Sequence, residues 1–235
     1  MKVLVSDYDK TFYTSDKDIK KNIKTVEKFV KYGNIFIIAT GRSYMDFKKK
    51  VDAYQIKYDY VLLNHGATIL DKFDNVLYDF PIENTNMQEL RQDLEISKSL
   101  EYFCCSKLES RVDFNHENLT KIAIRYLPLV NISKIKEKID KKYPHVNTYL
   151  VSSNMYEIIS KKIDKSKAIK LLIHDLNINK NDVFTIGDSY TDLNMIKDFN
   201  GYAMKKSVKE LIDVAHGEVR SVTELIERII SKNYL

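Results

Sequence analysis

Val3-Leu4-Val5-Ser6-Asp7-Tyr8-Asp9-Lys10-Thr11 decides how the rest of this chain is read. A short, continuous apolar run ends in two carboxylates and a hydroxyl, the pattern of a strand buried on both faces that delivers polar groups at its carboxyl end. Residues two apart on an extended chain point to the same side, so Asp7 and Asp9 face one point. Such a pair resists burial unless a cation joins it. The placement reads as chemistry, and something positive is expected beside it.

Three more apolar runs end in the same way. Residues 35–39 precede Thr40-Gly41-Arg42, residues 60–63 precede Asn64-His65-Gly66, and residues 183–186 precede Gly187-Asp188. Between them, residues 17–32 place Ile19, Ile23, Val26, Phe29 and Val30 at helical spacing, and Ala168, Ile169, Leu171, Leu172 and Leu176 do so later. Strands alternating with helices predict an α/β fold built on a doubly wound parallel sheet. All six glycines (33, 41, 66, 187, 201, 217) lie before residue 67 or after residue 186. Three of them follow a buried strand, where either a ligand's approach to the backbone or an ordinary turn asks for a missing Cβ.

The glycine-free middle has another texture, starting near Pro81-Ile82-Glu83. Residues 86–100 and 131–143 read as helices. Residues 102–106, 121–127, 146–152 and 155–160 read as strands, alternating in places as a one-sided antiparallel sheet does. The expected organisation is a core made of residues 1–82 and 158–235, interrupted by an inserted α+β domain over residues 83–157.

Composition bounds the function. With 235 residues and 44% hydrophobic content the chain forms a real core, as one large domain or two modest ones. Its apolar runs are too short to span a bilayer, and the first residues pass directly into strand and motif, so a cytoplasmic protein is expected. Cys104 and Cys105 are adjacent, which suits neither a mutual disulfide nor a thiolate metal site; they read as two packed thiols on a strand. The net charge of +5 arises from 38 basic and 33 acidic residues, with only six arginines. Runs such as Lys48-Lys49-Lys50 and Lys161-Lys162 read as solvated faces, so no nucleic-acid partner is expected, while a small anionic substrate is compatible with the charge. His116, His145, His174 and His216 fall at no metal-ligand spacing; His65, at a strand end beside Asn64, is the one placed for substrate contact.

In open parallel sheets ligands bind outside the carboxyl ends of the strands, near the point where strand order reverses. Asp7, Asp9, Thr40 and Asp188 all fall at such ends and are expected to converge, with Asp188-Ser189-Tyr190-Thr191-Asp192 adding a further carboxylate. Oxygen ligands without a neighbouring His or Cys favour Mg²⁺ over Zn²⁺ or Cu²⁺.

Asp7-x-Asp9-x-Thr11, Thr40 at the end of a second strand, a lysine before a helix, and Gly187-Asp188 together resemble, in order and spacing, the four motifs of the haloacid dehalogenase-like hydrolase superfamily. Within it, Ala39-Thr40-Gly41-Arg42, Asn64-His65-Gly66-Ala67 and the position of the insertion resemble the Cof-type phosphatases. The resemblance implies that Asp7 is a nucleophile forming an aspartyl phosphate, and that Asp9 is a general acid and base with a raised pKa. It implies Mg²⁺ held by the carboxylates of Asp7 and Asp188 and the backbone carbonyl of Asp9. Thr40 would hydrogen-bond the phosphoryl oxygens and Lys165 would neutralise them. Lys161, Lys162 and Lys167 are rivals of Lys165, which is preferred because it precedes the predicted helix at the family's offset. Gly41, Arg42, Asn64 and Thr191 complete the expected phosphate and substrate contacts, Arg42 either gripping a substrate anion or capping its loop. Asp192 is read as a supporting group that holds Lys165 or a water.

Two positions depart from the family pattern: Lys10 stands where glycine is usual, and Thr191 where asparagine is usual. Asp9-Lys10-Thr11 also invites comparison with cation-pumping ATPases, but that register makes Asp9 the nucleophile, and no membrane spans accompany it. The expected function is a Mg²⁺-dependent phosphatase of small phosphorylated metabolites, sugar phosphates first and cofactor-like phosphates such as pyridoxal phosphate next, with the insertion acting as a lid. A phosphosugar mutase using the same aspartyl phosphate, or a receiver-like phosphorylated signalling module, are the alternatives. Oligomeric state is not legible.

Overall fold

The opening run forms β1 (Val3–Asp7), followed by α1 (Asp16–Lys31), β2 (Ile35–Ala39), α2 (Tyr44–Tyr54), β3 (Tyr60–Leu63), β4 (Thr68–Asp71) and β5 (Val76–Asp79). The middle contributes α3 (Met87–Asp93), β6 (Ser99–Ser106), β7 (Glu109–Val112), β8 (Lys121–Tyr126), α4 (Ile132–Lys142), β9 (Val146–Ser152) and β10 (Met155–Ser160). The chain returns with α5 (Lys165–Asp175), β11 (Val183–Gly187), α6 (Leu193–Asp198), β12 (Asn200–Met204), α7 (Lys209–Val214), β13 (Glu218–Val219) and α8 (Val222–Ser231). This computed structural model describes residues 1–83 and 86–231. Residues 84–85, at the expected start of the insertion, and 232–235, at the expected end of the core, lie outside the described residues.

Eight strands form the larger sheet, in the order β13-β12-β11-β1-β2-β3-β4-β5. Pairing is parallel from β13 to β3. The chain leaves β1 toward β2 and later returns on its other side as β11, so strand order reverses at β1, where sheets of this kind bind ligands. One face carries Leu4, Ile38 and Val61 against Ile19, Phe29, Phe47 and Leu225 of α1, α2 and α8. The other carries Val3, Val5, Ile37 and Leu62 against Ile169, Leu172, Met195 and Leu211 of α5 to α7. Cover on both faces is why these strands read as unbroken apolar runs, each buried Val, Leu or Ile side chain adding roughly 1.5–3 kcal/mol.

The second sheet is antiparallel throughout, in the order β7-β6-β8-β10-β9. Even-numbered Cys104, Ile122, Ile124, Tyr156 and Ile158 pack with Leu90 of α3 and with Ile135 and Ile139 of α4. Odd-numbered Glu101, Phe103, Lys121, Arg125, Met155 and Glu157 instead line a cavity of about 800 Å³ against the first sheet. Alternation along each strand thus makes one face a core and the other the roof of a chamber.

Four details differ from the sequence reading. The helix expected over 86–100 stops at Asp93, because Glu95 turns left-handed (φ 47°) and, after one 3₁₀ turn, β6 begins at Ser99. Strands β4 and β5 extend the first sheet as an antiparallel hairpin, and β7 extends the second; these four-residue segments are too short to announce themselves without the neighbours they pair with. β10 continues its sheet to Ser160, past residue 157, so we propose to divide the chain after Ser160. Cys104 and Cys105 lie buried on β6 as free thiols. Among the described residues no helix is long and apolar enough to cross a membrane.

Candidate active site

Three strand ends and one helix start meet at the mouth of the parallel sheet. β1 ends at Asp7, β2 leads into Thr40, and β11 leads into Asp188. Lys165 is the first residue of α5, whose start is fixed by the Asp164 side chain accepting the Lys167 N–H at 2.8 Å. Gly66, at φ +100°, lets the loop after β3 press on that start, for a Cβ there would sit 2.8 Å from the Asp164 carbonyl oxygen. The Lys165 ammonium donates to Asp7 Oδ1 and to Asp192 Oδ1, both at 2.6 Å, with its side chain only 1% exposed. Asp192 Oδ2 accepts from the Asp188 N–H (3.1 Å), the Ser189 N–H (3.0 Å) and the Ser189 hydroxyl (3.0 Å). Thr11 Oγ1 donates to Asp188 Oδ1 at 3.0 Å.

One buried ammonium therefore bonds two carboxylates, with a third, Asp188, beside them. Burial pushes Asp7 well above the usual carboxylate range, the Lys165 charge offsets this in part, and Asp192 and Asp188 add to it. Asp188 is raised as well, by burial first and then by Asp192. For Lys165, burial favours the neutral amine, but Asp192 and Asp7 outweigh it and hold the proton more firmly than usual. The cluster is short of positive charge.

That shortage is the fit test for a cation. Oxygen atoms of Asp7, Asp188 and Asp192 lie within 4.8 Å of one another, with no nitrogen or sulfur donor in the group. Both oxygens of Asp192 are already engaged, whereas Asp7 Oδ2 and Asp188 Oδ2 have no hydrogen-bond partner among the described residues. The Asp9 carbonyl oxygen also accepts no main-chain bond among them. A hard divalent cation of the Mg²⁺ kind suits these donors.

The other expected residues divide into those at the chamber and those behind it. Gly41, Arg42, Lys165 and Thr191 line it with Asp7, Asp9 and Asp188. Buried Thr40 accepts the Arg42 N–H on Oγ1 at 3.1 Å, leaving its hydroxyl proton free to donate. At the chamber, Arg42 grips Asp9 through two bonds, Nε to Oδ2 at 2.8 Å and Nη2 to Oδ1 at 2.7 Å. Asp9 is not buried, its side chain being 47% exposed, so an acid role requires Arg42 to release an oxygen. The Thr191 hydroxyl shares a 2.9 Å bond with Ser189 Oγ. Asn64 is wholly buried and faces Thr120 at 3.4 Å instead of lining the chamber, because the left-handed turn at Asn64 and His65 folds it behind the strand end.

Lys10 explains the usual glycine at its position, since its φ of 62° is left-handed. Replacing it by Gly is expected to raise the unfolding free energy by about 0.5–1 kcal/mol, the relief of the left-handed conformation less the extra entropy of an unfolded glycine. Chemical denaturation checks this, and an unchanged or lower midpoint refutes the conformational account.

Sequence reasoning missed Lys121 and Glu157, two buried charges on the chamber side of the second sheet. The signal was a single charge inside an apolar strand, as in Tyr156-Glu157-Ile158-Ile159. His65 Nε2 meets Glu157 Oε2 at 2.5 Å; the bond is donated by the ring, since a carboxylate only accepts. Burial holds His65 below its ordinary pKa, hence neutral, despite Glu157. Burial alone would raise Glu157, but the Lys121 charge and the His65 bond bring it down to about 2.

A family model for haloacid dehalogenase-like hydrolases matches residues 4–116 and 106–225. An uncharacterised protein of Mycoplasma capricolum is 27% identical over 90% of this chain and 93% of its own length. A Buchnera aphidicola protein named "putative phosphatase" is 25% identical over 93% and 90%. Among solved structures, a haloacid dehalogenase-like hydrolase from B. subtilis covers 100% of both chains at a TM-score of 0.81 and 16% identity. The sucrose-phosphatase of Synechocystis, solved with sucrose and phosphate, covers 97% of this chain and 96% of its own at a TM-score of 0.71 and 18% identity.

Proposed function

The chain belongs to the haloacid dehalogenase-like hydrolases, and from that premise we propose that it is a Mg²⁺-dependent phosphatase of small phosphomonoesters acting through an aspartyl phosphate on Asp7. The observation that carries the reading is the acidic trio of Asp7, Asp188 and Asp192, the first and last of them buried and bonded to Lys165, a cluster that lacks positive charge until a cation joins it.

One oxygen of Asp7 attacks phosphorus and forms the acyl-phosphate bond as the ester oxygen leaves, while the other stays with the cation; Lys165, bonded to Oδ1, holds the carboxylate in place. A carboxylate meets a phosphate dianion against strong repulsion, and the Lys165 ammonium reduces it. Asp7 and Asp188, with the Asp9 carbonyl, would hold Mg²⁺, which when bound screens the phosphoryl oxygens from the carboxylates. Asp9 gives its proton to the leaving oxygen and later takes one from the attacking water, after Arg42 has released an oxygen. The Thr40 hydroxyl and the Gly41 N–H donate to the transferred group. The chamber roof provides room for a modest organic leaving group, and sugar phosphates are the substrate class we favour, as in the sucrose-phosphatase neighbour.

Chelation tests the cation directly. Treatment with EDTA is expected to remove hydrolysis of p-nitrophenyl phosphate, and Mg²⁺ to restore it. Mg²⁺ at a hundred times its Kd is also expected to stabilise the fold by about 2.7 kcal/mol, read as a higher Tm. Full activity in EDTA overturns the metal assignment. Free phosphate, not an isomeric hexose phosphate, is the expected product from a hexose phosphate; the isomer would mean a mutase.

A further inference from the structure

The carbonyls of Thr40, Gly41 and Arg42 are each captured by a donor: the His65 N–H at 2.9 Å, the Lys121 ammonium at 2.6 Å and the Asn64 N–H at 3.0 Å. Two donors come from the loop after β3 and one from the roof. With its carbonyls so held, this loop keeps the Thr40 hydroxyl and the Gly41 N–H for a ligand, neither donating to an acceptor among the described residues.

The loop after β3 is strained. Asn64 and His65 are non-glycine residues at φ 50° and 58°, followed by Gly66 at 100°. Left-handed residues in series persist only where their surroundings enforce them, and they cluster at functional sites. Here the enforcing groups belong to the roof. His65 donates to Glu157, whose other oxygen accepts from Lys121 at 3.3 Å. The His65 ring packs on Tyr149 with centroids 4.8 Å apart, and it covers Gly41 so closely that a Cβ there would lie 2.5 Å from Cε1. Lys121 and Glu157 are buried at 2% and 8% side-chain exposure, which for two charges makes sense only when each is bonded.

We propose that Lys121, seated by Glu157 and His65, is a positioning residue for the phosphoryl cradle. It holds the Gly41 peptide in the orientation that aims Gly41 N–H and Thr40 Oγ1 at a phosphoryl group. Docking of the roof and assembly of the cradle are then one event, because the same lysine belongs to both. The inference rests on the phosphatase reading.

Lys121→Met keeps the length of the side chain and removes the ammonium. It is expected to lower kcat/KM about 30-fold, and by the same factor for esters with different leaving groups, because misplacement of a catalytic cradle costs up to about 100-fold. Thr40→Ala is expected to cost roughly tenfold in the wild type but under threefold in the Lys121→Met background, since both remove one function. Glu157→Gln, which preserves volume, provides the same test should Lys121→Met fail to fold, with a smaller loss in the same direction. Additive losses, a loss that depends on the leaving group, or a lower Tm with unchanged kinetics would each overturn the proposal. If the wild type hydrolyses no ester, the phosphatase reading fails by itself. Calorimetric titration with inorganic phosphate and Mg²⁺ then still reads the cradle: about tenfold weaker binding in Lys121→Met supports the positioning role, and equal binding refutes it.

Discussion

Asp7→Asn is expected to reduce hydrolysis of an aryl phosphate by roughly 10⁶-fold, the scale on which enzymes respond to loss of a covalent nucleophile. The change is almost isosteric, so the fold offers no reason for it to fail. Asp7 is the buried carboxylate whose charge is least well compensated, with Lys165 shared between it and Asp192. The amide removes that deficit while Lys165 keeps Asp192. The variant is therefore expected to have a higher Tm than the metal-free wild type at neutral pH, even as it loses turnover. A drop in activity accompanied by a drop in Tm would mean that Asp7 is chiefly structural. Turnover within tenfold of the wild type would remove it as the nucleophile.

Lys165→Met should act in the opposite sense on stability. Deleting the ammonium leaves buried Asp7 and Asp192 without the lysine that bonds both, and an uncompensated buried charge of this kind costs about 3–5 kcal/mol. The cost has a defined pH dependence. A carboxyl whose native pKa lies above its unfolded value binds protons more readily when folded, so its stabilising contribution is present at low pH and lost as pH rises through the native value. Asp7 is such a group in the wild type, and without Lys165 more so. The deficit relative to wild type should be largest at neutral pH and shrink as pH falls from the raised native value of Asp7 toward 3.8, its ordinary value. Added Mg²⁺ should shrink it too, which unfolding curves at two pH values with and without the ion can measure. Activity should fall about 10²–10³-fold, the usual effect of removing one donor to a developing oxyanion. A deficit that grows on acidification would show that Lys165 is not the counter-charge of this cluster.

Much of this architecture is legible in the chain because it is written locally. Val3 to Asp7, residues 35–39 and residues 183–187 are strands covered on both faces, so unbroken hydrophobicity and an abrupt polar end identify both the strand and the end that faces ligand. The ordered appearance of Asp7, Thr40, Lys165 and Asp188 needs only that these ends converge. Helix α5 begins at Lys165 because Asp164 caps it, and that signal too is local. Less accessible was the roof, whose helix was overrun to residue 100 and whose charged face carried no motif. Equally hidden was the bond of Arg42 to Asp9, since the two sit 33 positions apart.

The sequence by itself determined the strands of the parallel sheet and the polar groups at their ends, for strand ends and helix caps depend on neighbours within a few positions. Only the tertiary structure decided which charges are compensated and which peptides are held. His65 finds Glu157 across 92 residues and Lys121 finds the Gly41 carbonyl across 80. The energy of a buried charge depends on what lies within a few ångströms of it, and periodicity along the chain does not carry that information.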